Sequence, residues 1–132
     1  MNIKKELLDN NYSLVASNGY HSSERGIKPV ISKMNEDLYY FRDLIVSDKL
    51  IGKASAMLLC LSGVKEVYTV TLSKAGQEIF EKYGIPYHYD ELVEYIINRK
   101  GDGMCPMEMT VKHLDDLHEA YEALNRKLAL LS

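Results

Sequence analysis

Nine residues, Lys53-Ala54-Ser55-Ala56-Met57-Leu58-Leu59-Cys60-Leu61, constrain the fold more than any other part of the chain. They are apolar nearly all round, and a helix without a polar face has to be buried. Gly52 before them admits a close backbone approach, and Ser62-Gly63 supplies the stop. Ala54, Ser55 and Ala56 are small enough for a sheet to pack close at the N-terminal end. Strand patterns lie on both sides. Residues 41–47 have the apolar centre of a buried strand, and residues 64–72 alternate branched and polar side chains rich in Val, Thr and Tyr.

The rest of the chain fits around that unit. Residues 3–10 read as a short amphipathic helix with Ile3, Leu7 and Leu8 on one side. A strand over 12–17 leads into Asn18-Gly19, a dipeptide favoured in tight hairpin turns, and a polar return strand over 20–24 suits a sheet edge. Pro29 opens a helix whose Val30, Ile31 and Met34 share a face. Ser73 caps another, with Ala75, Ile79, Phe80 and Tyr83 inward and Gly84 at its end. Residues 85–89 are a short strand, 92–97 a short helix or turn, and 98–103 a loop. Leucines, Tyr121 and His118 spaced by three and four predict a long C-terminal helix over about 113–131. A hairpin followed by alternating helices and strands implies an α/β three-layer sandwich, a mixed sheet with helices on both faces.

Composition limits what such a domain does. The 132 residues, 46% hydrophobic and 27% charged, suit one domain over 1–132 with a real core. A net charge of −3 leaves no basic field to hold a nucleic-acid backbone. No apolar run approaches the ~20 residues that span a bilayer, and the N-terminus has no signal-peptide apolar region. With two cysteines, Cys60 and Cys105, a disulfide framework is not expected, and a reducing cytoplasm is the natural setting.

The chemistry-bearing stretch is Gly101-Asp102-Gly103-Met104-Cys105-Pro106-Met107-Glu108. Pro suits the first helical position, and Glu108, three residues past Cys105, stands where a capping box puts its carboxylate. The reading is a loop that delivers a thiol to a helix N-terminus, where unpaired N–H groups favour an anion. A cysteine used simply as a helix cap has the same spacing. His21, His88, His113 and His118 lack ligand spacing, Cys60 reads as core, and the ten tyrosines read as packing and rim residues.

The order of elements resembles cytidine-deaminase-like folds. More closely, residues 47–57 with Asn98-Arg99 and 103–108 are similar to a small prokaryotic family of unknown function with that fold, over roughly residues 12–112. True deaminases open the buried helix with His (or Cys)-Ala-Glu and the next with Pro-Cys-x-x-Cys, holding zinc and the general acid/base. Here the first triplet is Lys53-Ala54-Ser55, and Glu108 stands where a second sulfur would be. Zinc needs at least three protein ligands, so no metal and no cofactor is expected.

What the resemblance leaves is a constellation of Asp48, Lys49, Lys53, Asn98, Arg99, Cys105 and Glu108. In the implied fold two helix N-termini lie side by side and bring Lys53 near Cys105. Duller roles are open for each: Lys53 solvated, Asp48 capping the following helix, Arg99 facing Asp102. Two functions follow. One is a zinc-independent binding or sensor domain for a nucleotide-like or other anionic small molecule, held between the helix N-termini. The other is an enzyme with Cys105 as nucleophile and Lys53 lowering its pKa. A homodimer is a further expectation, with residues 20–24 and the C-terminal helix as candidate surfaces.

Overall fold

The structure, a computed structural model, describes residues 2–98 and 100–131. Helix α1 (Ile3–Asp9) starts at Asn2, whose side chain accepts the Lys5 N–H. Strands β1 (Leu14–Ala16) and β2 (His21–Ser22) form the hairpin, with Gly19 at φ +97° in its turn. Then follow α2 (Lys28–Glu36), β3 (Ile45–Ile51), α3 (Lys53–Ser62), β4 (Glu66–Ser73), α4 (Lys74–Tyr83), β5 (Tyr87–Val93), α5 (Pro106–Val111) and α6 (Leu117–Leu131). The sheet runs β2-β1-β3-β4-β5. β1 is antiparallel to both neighbours, and β3, β4 and β5 are parallel. No described helix is long and apolar enough to cross a membrane.

Alternation along the strands sorts side chains into two layers of core. Leu14, Ala16, Val46 and Val67 join the main core with α2, α3, α4, α5 and α6. Val15 and Tyr68 point to the opposite face, where Ile3 and Leu7 of α1 cover them. The sheet is therefore mixed, with helices on both faces. α3 is its centrepiece: eight of its ten residues are buried, and Gly63 ends it in the left-handed conformation.

Several boundaries differ from the sequence reading. The strand expected over 41–47 runs Ile45–Ile51, because β1 on one side and β4 on the other carry Ser47 and Asp48 into the ladder, and the Lys49 N–H bonds the Ser13 carbonyl at 3.0 Å. Phe41 is fully buried but lies in a turn, its N–H bonded to the Ser62 hydroxyl at 2.9 Å. The return strand shrinks to His21–Ser22. Residues 92–97 form no helix: Leu92 and Val93 extend β5 against Leu72 and Ser73, and Ile97 makes a single bridge to Met104. The last helix starts at Leu117 rather than His113, since the Asp116 carboxylate caps the Glu119 N–H at 2.9 Å. On α4, Ser73 caps as expected, but Gly76 rather than Ala75 faces inward and Tyr83 is exposed. A Cβ at Gly76 would stand 3.1 Å from the Gly52 carbonyl, a contact so tight that a larger residue would push α4 a few tenths of an ångström from the start of α3.

Candidate functional site

The chain between β5 and α5 is closed by one side chain. Asn98 Oδ1 accepts the N–H groups of Gly101 (2.8 Å) and Asp102 (3.2 Å), and its Nδ2 donates to Asp102 Oδ1 (2.9 Å). The Asn98 N–H bonds the Gly103 carbonyl, and the Cys105 N–H bonds the Ile96 carbonyl, both at 2.8 Å. This loop delivers Cys105 to the N-cap position of α5, with Pro106 opening the helix as the sequence implies. Arg99 lies outside the described residues, and Asp102, its expected partner, is held by Asn98.

Glu108 does not close a capping box on its own helix. Its carboxylate crosses to α3, where Oε1 accepts the Lys53 N–H at 2.7 Å and Oε2 the Ala54 N–H at 2.8 Å. α3 needs this, because Gly52 in its N-cap position brings no side chain to cap with. Burial pushes the Glu108 carboxyl above the usual range, opposed by the two N–H groups and by the Lys53 ammonium. The Cys105 side chain makes no cap hydrogen bond.

Lys53 works in the other direction. Its Nζ donates to the Lys112 carbonyl at 3.1 Å, just past the end of α5. A carboxylate thus sits on the N-terminus of α3 and an ammonium at the C-terminal end of α5, each on the dipole end that favours it. The sequence reading set the Lys53 ammonium beside Cys105; the hydrogen bond it makes is to the Lys112 carbonyl. Local spacing could not show either contact, since 55 residues separate Lys53 from Glu108 and 59 separate it from Lys112.

The remaining candidates lie elsewhere. Asp48 is a buried strand residue rather than a helix cap; it accepts the Leu50 N–H at 3.1 Å, and burial pushes its carboxyl up to about 7. Lys49 donates to the Asn11 side chain, just past α1. Cys60 belongs to the core as read, its thiol pushed up to about 12 by burial. Among the described residues no group of three or more His, Cys, Asp or Glu side chains is placed to hold a metal.

Beside the Glu108 cap lies a groove of about 240 Å³ between α4 and the end of α5. Lys53, Lys82 and Lys112 line it together with Glu78 and Asp115. A wider, more open hollow adjoins it across Met104 and Lys112, reaching Asn98 and His113. Lys82 and Lys112 were not legible as site residues; they are 30 positions apart and neither stands in a motif.

A family model described as a domain of unknown function (DUF1893) matches residues 2–128. Among solved structures, a DUF1893 family protein (TM1506) from Thermotoga maritima is 27% identical, with a TM-score of 0.86. The match covers 95% of this chain and 86% of that one. No curated protein matches the sequence.

Proposed function

Since the chain belongs to the DUF1893 family, whose function is unknown, we propose from its own geometry that it is a binding or sensor domain for a small anionic molecule. The observation that carries this reading is the groove beside the start of α3, where Lys53, Lys82 and Lys112 share one wall system. The binding mode differs from a ligand seated on two helix N-termini. Glu108 already caps α3, and α5 is six residues long, so the cationic contacts come from lysine side chains, set among the carboxylates of Glu78, Glu108 and Asp115. Glu78 and Asp115 accept from hydroxyl or amino groups, so the ligand that suits the groove carries both an anion and donors, as a nucleotide does. The deaminase-like reading of the scaffold is supported by its order of hairpin, helix, strand, buried helix, strand and helix. Lys53 and Ser55 stand where such an enzyme would hold its zinc ligand and acid/base, in keeping with binding without metal chemistry.

Thermal-shift and calorimetric titration with nucleosides, nucleotides and small organic acids tests the proposal. The expected result is stabilisation by the phosphorylated members of the panel. Stabilisation by none of them removes the reading.

A further inference from the structure

The groove beside α3 carries charges of both signs in equal number. Lys53, Lys82 and Lys112 bring three ammoniums, and Glu78, Glu108 and Asp115 bring three carboxylates. An anion that enters meets no net positive charge unless one carboxylate gives its charge up. The three are not equivalent. Glu78, on α4, and Asp115, past the end of α5, are exposed, so water hydrates their charge. Glu108 is 8% exposed, and burial disfavours its charged form.

Glu108 can take a proton without leaving its place. Each of its oxygens accepts one N–H of α3, from Lys53 at 2.7 Å and from Ala54 at 2.8 Å. A carboxylate oxygen has two lone pairs, so each keeps one that the helix does not use. The groups that share the groove with Glu108 are Lys53 from α3, Glu78 and Lys82 from α4, and Lys112 and Asp115 from the end of α5. Cys105 is the other titratable side chain at the start of its own helix, and His113 lies in the adjoining hollow. On the side of Gly52 and Ile96 no charge meets it. The Lys53 ammonium favours the charged carboxyl, and it is also one of the three cations an anion draws on. A bound anion therefore acts twice. It sets a like charge beside Glu108, and it engages the cation that opposed the effect of burial.

Resting on the reading of this groove as an anion site, we propose that the anion binds together with a proton, which the Glu108 carboxylate takes up. The proton comes from solvent, one O–H bond forms on Glu108, and no covalent bond of the ligand changes. The new O–H donates to the anion, while both oxygens go on accepting the N–H groups of α3. The groove is then left with three cations against two carboxylates. By linkage, affinity falls as pH rises, by up to about tenfold per pH unit for one proton per anion. The central helix and the ligand thus share one carboxyl, and the site answers to pH as well as to the anion.

Titration calorimetry of the full chain with adenosine 5′-monophosphate, in two buffers of different ionisation enthalpy, counts the protons taken up. The phosphate's own titration is common to the wild type and Glu108→Gln, so the difference between them belongs to residue 108. The wild type should take up more, by up to one proton per nucleotide, and its affinity should fall more steeply between pH 5 and pH 8. His113→Asn should keep the wild-type uptake. Should Glu108→Gln fold poorly, inorganic sulfate gives the answer on the wild type and His113→Asn alone, because its charge is constant over that range. Equal uptake by the wild type and Glu108→Gln, or uptake that disappears in His113→Asn, overturns the inference and leaves the anion site standing. Sulfate binding without proton uptake does the same. A chain that binds neither probe at any pH overturns the anion reading and this inference together.

Discussion

The space that a side chain would take at Gly52 is filled by the carboxylate of Glu108. A Cβ there would fall on the carboxylate and lie 2.8 Å from Ile96 Cγ1. Gly52→Ala should therefore expel Glu108 from the N-terminus of α3 as well as strain the packing. The expected cost is about 2–4 kcal/mol, read as a lower urea midpoint with an unchanged slope. A loss under about 0.5 kcal/mol would show that Glu108 is not needed where it sits.

Glu108→Gln tests the cap itself. The amide keeps the volume but offers one acceptor, leaving a buried N–H facing an NH₂ group, and should cost about 1–2 kcal/mol near neutral pH. Because burial raises the Glu108 carboxyl, the native state holds its proton more tightly than the unfolded chain does. The wild type then loses stability as pH rises from the ordinary carboxylate range through the folded value. The glutamine variant has no such loss at this position. Its deficit should narrow with rising pH in paired denaturation curves; a deficit that widens contradicts the assignment.

Asp48 gives a larger effect of the same sign. Its carboxyl titrates at about 7 in the folded chain against an ordinary value of 3.8. Between those two pH values the native state holds one more proton than the unfolded one, so stability falls as pH rises. At about 1.4 kcal/mol per pH unit the fall is roughly 4 kcal/mol in all, complete above pH 7. Asp48→Asn retains an acceptor for the Leu50 N–H and removes the charge. It should be near neutral at pH 4 and stabilising by up to about 4 kcal/mol at pH 8. Parallel pH profiles for the two proteins would refute a buried, shifted carboxyl.

Lys82→Met and Lys112→Met address the groove. Among the described residues neither side-chain ammonium makes a hydrogen bond or an ion pair; Lys82 lies over the Tyr83 ring at 5.4 Å. Each variant should unfold within about 0.5 kcal/mol of the wild type while weakening a nucleotide probe roughly tenfold, the worth of one partly desolvated ion pair. Unchanged affinity in both would move the site away from α4 and α5.

The parts that were legible in the sequence have local causes. The burial of α3 follows from its own apolar residues, and the Ser73 cap and the Asn18-Gly19 turn follow from dipeptide chemistry. What was misplaced depends on distant partners. Asp48, polar and a few residues before α3, reads as a helix cap, yet strands on both sides hold it in β3. The spacing from Cys105 to Glu108 reads as a cap on α5 because nothing local says which helix end a carboxylate serves. That choice is made by Gly52, which leaves α3 uncapped and leaves room for a visitor. The lysine groove joins α3, α4 and the end of α5, and no window of sequence contains all three.

The visiting carboxylate also bears on how the chain is made. Synthesis delivers residue 53 long before residue 108, so a nascent chain that has reached only β5 carries α3 with the Lys53 and Ala54 N–H groups still without the acceptor they have in the finished fold. The first turn of the most buried helix is therefore completed late, by a segment that emerges after every strand of the sheet. A polypeptide cut before Pro106 would keep every strand of the sheet and still lack the group that fastens its central helix.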